Sequence, residues 1–317
     1  MSFKVLGTGM YVPERVLTND ELETMVETSD EWIKKRVGVS ERRICTNETT
    51  SDMGISAAKA ALSDSGISAD ELDVIICATI SGEDVCPTVA AKVQAAIGAT
   101  CPAFDVSSAC SGFLFALETA YAYFAGGKVK KALVLASERI SKLVDYKDRN
   151  TCVIFGDGAG AVVLGEGENY IDSVLRTQGG DDVIKIPSYA GTSPFYTGEN
   201  NAPYIYMNGQ ETFKFAVDSM CRDVMMIMER NGLTGDDIAW VVPHQANARI
   251  IQFAVKRLKM EQEKFFMNLS KYGNTGGASI AISLDEMNKS GLLKKGDKII
   301  LTAFGGGLSS GVCLLEW

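Results

Sequence analysis

The strongest constraint on this chain is an internal repeat. Gly66-Ile-Ser-Ala-Asp-Glu-Leu-Asp-Val-Ile-Ile-Cys-Ala78 lines up with Gly232-Leu-Thr-Gly-Asp-Asp-Ile-Ala-Trp-Val-Val-Pro-His244, each after a helical stretch. Ala132-Leu-Val-Leu-Ala136 and Lys298-Ile-Ile-Leu-Thr302 stand at the same offset of 166. Any two α/β units share fragments of such patterns, but an ordered match across several elements favours duplication. The chain therefore divides into two related halves, 1–170 and 171–317.

Within each half, short β-rich apolar runs alternate with longer helical patterns, the mark of α/β architecture. Strands are predicted at Phe3–Leu6, Val74–Ala78, Ala103–Val106, Ala132–Ala136, Gly160–Leu164, Ile171–Leu175, Trp240–Val242, Lys298–Ala303 and Gly311–Leu315. Helices are predicted at Asp52–Ser65, Thr88–Ile97, Ser111–Ala125, Glu211–Arg230, Ala246–Lys259 and Gly276–Lys289. Gln178–Asn208, rich in Gly, Ser, Pro, Asn and Tyr, reads as an ordered excursion or linker between the halves.

Several function classes drop out on composition. Forty acids against 31 bases argue against nucleic-acid binding. No apolar run approaches the ~18 residues of a membrane span. Met1-Ser-Phe-Lys-Val-Leu-Gly7 reads as a first strand and not as a signal peptide, so a cytoplasmic location is expected. The eight cysteines include no C-x-x-C pair, which disfavours both a disulfide framework and a zinc site. The single histidine excludes any mechanism that needs two.

Four segments can carry chemistry. Phe104-Asp-Val-Ser-Ser-Ala-Cys110-Ser-Gly-Phe runs from strand through small residues into a helix, where free N–H groups and the helix dipole are expected to favour the Cys110 thiolate. His244 ends a buried-strand pattern before the polar Gln-Ala-Asn turn. Asn274, in Lys271-Tyr-Gly-Asn-Thr-Gly-Gly-Ala278, occupies a third strand-to-helix turn and taken alone would be an ordinary turn asparagine. Phe304-Gly-Gly-Gly-Leu-Ser-Ser-Gly311 reads as a hairpin turn or as a backbone able to face an oxyanion. Phe155-Gly-Asp-Gly-Ala-Gly160 lacks the Lys-Ser/Thr of a phosphate loop and reads as a turn for tight packing.

Together with Asp30-Glu-Trp-Ile-Lys-Lys-Arg-Val-Gly38 and Asp148-Arg-Asn-Thr-Cys-Val-Ile-Phe-Gly-Asp-Gly-Ala-Gly-Ala161, these segments resemble the β-ketoacyl-(acyl carrier protein) synthase III family of thiolase-fold condensing enzymes, essentially end to end. The resemblance implies a five-layered αβαβα fold of two duplicated halves and a homodimer. It implies a triad of Cys110, His244 and Asn274, with an oxyanion hole from the N–H groups of Cys110 and Gly306. Coenzyme A contacts carry over to Thr28, Trp32, Arg36 and Arg149, with Gly209, Phe213 and Asn247 near the pantetheine path. An acyl carrier protein is expected to dock on Lys214, Arg249, Lys256 and Arg257, and Cys86 to touch the primer pocket of a partner subunit. Arginines suit phosphates through forked donors, and Trp offers a stacking face to adenine.

The implied reaction is decarboxylative condensation of acyl-CoA with malonyl-(acyl carrier protein), with acyl-CoA as a substrate and no metal or redox cofactor. Elongating relatives need two histidines. Degradative relatives place a second cysteine where Ala303 stands. An enzyme of secondary metabolism with another primer or acceptor shares the same triad, and a non-catalytic carrier-binding homologue is disfavoured because the triad is intact.

Overall fold

A computed structural model describes residues 1–187 and 204–317. Part of the Gln178–Asn208 excursion, residues 188–203, lies outside the described residues. Its flanks Ile184–Lys185 and Tyr206–Met207 pair as a short antiparallel ribbon.

In chain order the first half contains β1 (Ser2–Tyr11), α1 (Thr50–Ser65), β2 (Val74–Ala78), α2 (Val89–Ile97), β3 (Ala103–Val106), α3 (Gly112–Ala125), β4 (Lys131–Arg139) and β5 (Asp157–Gly167). The second contains β6 (Tyr170–Thr177), α4 (Gly209–Arg230), β7 (Trp240–Pro243), α5 (Ala248–Leu258), α6 (Ser279–Lys289), β8 (Lys298–Gly305) and β9 (Ser309–Glu316). The first sheet runs β1-β5-β4-β2-β3 and the second β6-β9-β8-β7. Corresponding pairs share their sense: β4–β2 and β8–β7 are parallel, whereas β1–β5 and β6–β9 are antiparallel. The counterpart of β3 shrinks to one parallel bridge, Val241 to Phe265.

Each element follows from its residues. Thr49 caps α1 in a reciprocal box with Asp52, and Gly66 closes the helix in the left-handed region. Continuous apolar runs such as Val74–Ala78 and Leu133–Ala136 are buried on both faces because helices cover both sides of the sheet. The layers are α1 and α2, the first sheet, α3 and α6, the second sheet, then α4 and α5. The core of the middle layer joins Phe113 and Leu117 to Ile280 and Leu284, and so belongs to both halves.

Two sequence expectations change. Phe155–Gly160 is not a turn: from Asp157 onward it is the start of the eleven-residue β5. Tight packing is its purpose, since a Cβ on Gly160 would lie 2.6 Å from Ala281 of α6. The helix predicted from Gly276 begins at Ser279, after a 3-10 turn over Gly276–Ala278. Six cysteines are buried, Cys86 is exposed and Cys110 intermediate, and all eight are free thiols. Among the described residues no helix is long and apolar enough to cross a membrane.

Candidate active site

The parallel strands of both sheets deliver their carboxyl ends to one cavity of about 1400 Å³, lined by Cys110, His244, Asn274 and Gly306 among others. Such strand ends are where α/β sheets gather ligands. After β3 the backbone turns sharply. Ala109 takes a left-handed φ of 45°, and Cys110 sits in the 3-10 turn Ala109–Ser111 ahead of α3. A non-glycine residue in that region is strained and holds only where its surroundings fix it. Two restraints are visible: Ser111 Oγ lies 2.7 Å from Ser309 Oγ, and the end of β8 runs against Cys110. A Cβ on Gly305 would lie 2.8 Å from the Cys110 nitrogen, so only glycine lets the two backbones approach. The hairpin Phe304–Gly311 is thus both a β-turn connection and a wall of the cavity.

Asn274 is pinned by its main chain to the first half. Its N–H donates to the Ile154 carbonyl at 2.9 Å, and its carbonyl accepts from Gly156 N–H at 3.0 Å. Its side-chain Oδ1 accepts from Gly276 N–H at 2.9 Å, which leaves Nδ2 as the group free to donate into the cavity. His244, on the last turn of chain after β7, is buried with its ring edge-on to Phe304 at 5.4 Å. Burial lowers its pKa to about 3, so the imidazole is neutral near pH 7.

Cys110 departs from the sequence expectation. Burial, with the Glu138 carboxylate adding to it, pushes its thiol up to about 12, and its own amide offsets only part of the rise. Although Cys110 keeps some exposure to the cavity, loss of water around its sulfur favours the neutral thiol, against the sequence expectation of a favoured thiolate. Glu138 was not singled out from sequence. It is the penultimate residue of β4 and fully buried, accepting from Thr79 Oγ1 and Ile80 N–H at 3.3 Å and from Ser81 Oγ. Burial raises its pKa to about 7. The sequence offers only a weak signal, an acid directly after the apolar run Ala132–Ala136 and Ser137.

The other expected residues fall in three places. Trp32, Arg36, Gly209, Phe213, Asn247 and Arg249 line the cavity. Arg149 and Thr28 stand outside that lining. The Arg149 guanidinium lies 5.6 Å over the Trp32 ring and donates to the Glu27 carbonyl at 3.2 Å. Thr28 Oγ1 is buried without a partner among the described residues. Asn247 caps α5 by accepting from Arg249 N–H at 2.9 Å and donates to the Arg36 carbonyl at 3.3 Å, so it ties α5 to the segment carrying Trp32 and Arg36. Lys214, Lys256 and Arg257 are exposed on the outer helices, Arg257 paired with Asp218. Cys86 is exposed in the Asp84–Pro87 loop and does not line the cavity of its own chain.

Five layers with a cysteine, a neutral histidine and an asparagine donor around one cavity define an acyl-transferring condensing enzyme of the thiolase fold. Two family models match: 3-oxoacyl-[acyl-carrier-protein] synthase III over residues 104–180 and its C-terminal counterpart over residues 228–317. The β-ketoacyl-[acyl-carrier-protein] synthase III of Clostridium acetobutylicum is 49% identical over 321 residues, covering 100% of this chain and 99% of that protein. The crystal structure of 3-oxoacyl-[acyl-carrier-protein] synthase III from Aquifex aeolicus VF5 superposes with a TM-score of 0.94 at 43% identity, covering 99% of this chain and 100% of that one. The priming β-ketosynthase of the R1128 polyketide pathway does so with a TM-score of 0.93 at 33% identity, covering 99% and 96%. The chain belongs to the 3-oxoacyl-[acyl-carrier-protein] synthase III family.

Proposed function

We propose that this chain joins an acyl group from acyl-CoA to malonyl-(acyl carrier protein) with loss of carbon dioxide, initiating fatty acid synthesis. The observation that carries the reading is that Cys110 of one half lines the same cavity as His244 and Asn274 of the other. The first half-reaction is acyl transfer. Cys110 sulfur attacks the acyl-CoA thioester, the tetrahedral oxygen rests on the Cys110 and Gly306 amides, and coenzyme A departs carrying the thiol proton. In the second, malonyl-(acyl carrier protein) enters and its thioester carbonyl accepts hydrogen bonds from His244 and from Asn274 Nδ2. Those donors stabilise the enolate formed as carbon dioxide leaves. The enolate carbon attacks the acyl-Cys110 carbonyl, and the Cys110 sulfur is expelled as a thiolate that takes up one proton from solvent, the proton that left with coenzyme A having been lost in the first half-reaction.

The cycle consumes acyl-CoA as a substrate and draws on no metal or redox cofactor. Trp32, Arg36 and Arg149, with Thr28, hold the nucleotide end of coenzyme A, and Gly209, Phe213 and Asn247 border the pantetheine. The working form is a homodimer. A priming role in polyketide synthesis is the second reading. It is favoured by the 33% likeness to the R1128 enzyme, but the two 3-oxoacyl-[acyl-carrier-protein] synthase III relatives named above stand at 49% and 43%.

The test is mass spectrometry of the enzyme after exposure to a panel of acyl-CoA primers. One acyl adduct on Cys110, released by malonyl-(acyl carrier protein) as a β-ketoacyl product, is expected. An adduct that malonyl-(acyl carrier protein) does not release would overturn the reading.

A further inference from the structure

We propose that Ser279 sets the tautomer of His244, keeping the ring proton on Nε2 so that the imidazole meets the cavity as a hydrogen-bond donor. This deepens the proposed condensation and rests on that reading for its chemical consequence.

Ser279 is the first residue of α6 and is buried. Its Oγ lies 2.7 Å from His244 Nδ1, and the same oxygen accepts from Gln245 N–H at 3.3 Å. A serine hydroxyl has one hydrogen and two acceptor lone pairs, whereas a neutral imidazole has one donor and one acceptor nitrogen. Two arrangements therefore compete. If Nδ1 carried the proton and donated to Oγ, the hydroxyl would accept twice and its own hydrogen would need a further acceptor. Among the described residues its side chain meets no acceptor besides Nδ1. A buried donor without an acceptor is costly, so this arrangement is disfavoured. If the hydroxyl donates to Nδ1, both groups are satisfied and the ring proton sits on Nε2. Burial keeps the imidazole neutral, so the choice lies between tautomers and does not extend to the doubly protonated ring.

The consequence is a division of labour. With Nε2 protonated, the ring has no lone pair to offer the Cys110 thiol and is instead a donor beside Asn274 Nδ2. Ser279 is thus a positioning residue for decarboxylation, with no part in acyl transfer. Its origin in the second half explains the arrangement: α6 packs against the strand that presents His244.

The chain has one histidine, so enzyme labelled with 15N-histidine reports this ring alone. Proton–nitrogen coupling in the unliganded wild-type protein should place the proton on Nε2. A proton on Nδ1 would overturn the proposal, and this measurement needs no variant. In Ser279→Ala the Nε2 preference should be lost. Malonyl decarboxylation should fall about tenfold or more, as a wrongly held imidazole does elsewhere, while acylation of Cys110 stays near wild type. Ser279→Thr, which keeps the hydroxyl, should restore both the tautomer and the rate. A folded Ser279→Ala that keeps Nε2–H and full decarboxylation would also overturn it. The spectrum is read without turnover. A protein with the expected tautomer that never releases product would therefore point to failure of the condensation reading and not of the Ser279 assignment.

Discussion

Cys110 and Asn274 should separate the two half-reactions when each is removed in turn. Cys110→Ala should abolish acylation and condensation yet retain some malonyl decarboxylation. Asn274→Ala should acylate nearly normally and fail to decarboxylate, since losing one donor at a developing oxyanion costs ~3 kcal/mol, roughly a hundredfold in rate. Wild-type decarboxylation by a folded Asn274→Ala protein would show that asparagine to be a turn residue alone. His244 adds a pH signature to stability. Its pKa is about 3 in the fold, against ~6.5 in the unfolded chain. Between those values the unfolded chain binds a proton that the native state does not, so stability present above pH 6.5 is lost as pH falls. From pH 7 to pH 5 the loss should be about 2 kcal/mol, at 1.36 kcal/mol per unit. Glu138, raised to about 7, acts in the opposite sense, so the readout is the difference between wild type and His244→Gln. Denaturant titrations of the two proteins at both pH values should converge toward acid. Parallel pH dependence would contradict a buried neutral histidine.

The outer helix α5 carries Arg249, Lys256 and Arg257 and no acid, on a chain of net charge −9. The sequence left open whether this is a docking face or a solvated one, and the structure separates its members. Arg257 is committed to Asp218, whereas Arg249 lines the cavity and lies 5.7 Å over the Phe213 ring. Arg249→Glu should cut turnover with malonyl-(acyl carrier protein) about tenfold at low salt and reduce self-acylation by acyl-CoA less, since Arg249 also borders the cavity beside Phe213. Added salt should mimic the mutation in part, because Arg249 is half-buried and is screened less than a fully exposed charge. Equal losses in both assays would argue against docking. The Asp84–Pro87 loop offers a second element-level test. If Cys86 borders the primer pocket of a partner subunit, Cys86→Phe should narrow the range of primers toward short chains, and an unchanged profile would remove that role. Elements of this kind were legible because their signals are local: Val74–Ala78 is apolar at every position, and Gly66 and Gly98 close helices in left-handed conformations. Ser279 and Glu138 were not legible in function. Their partners lie 35 residues away at His244 and 57 residues away at Ser81, and neither contact has a sequence period.

At the scale of the whole molecule, the site exists only where the halves meet. Cys110 comes from the first half, His244 and Asn274 from the second, and the middle layer that joins them is one continuous core. The repeat at offset 166 made two halves legible, but not the face along which they pack, because that face is set by side-chain size. Gly160 is the sharpest instance. It lies in β5, and a Cβ there would come within 2.6 Å of the Ala281 backbone and side chain and of the Ile282 nitrogen in α6. That distance is below any normal contact and involves main chain, so the helix must move for even alanine to fit. Overpacking of this kind typically costs about 1–3 kcal/mol. Because both halves share the core, Gly160→Ala should lower the melting temperature of one cooperative transition and should not split it in two. Displacing α6 shifts Ser279 itself, whereas the Cys110 elbow feels the change indirectly, through the preceding turn where Gly277 packs on the Ala109 carbonyl. In the folded fraction, condensation should accordingly fall further than acylation of Cys110. Calorimetry paired with the two half-reaction assays decides the matter. An unchanged melting temperature would mean that α6 yields freely, and equal losses in both half-reactions would mean that the halves do not position the site independently.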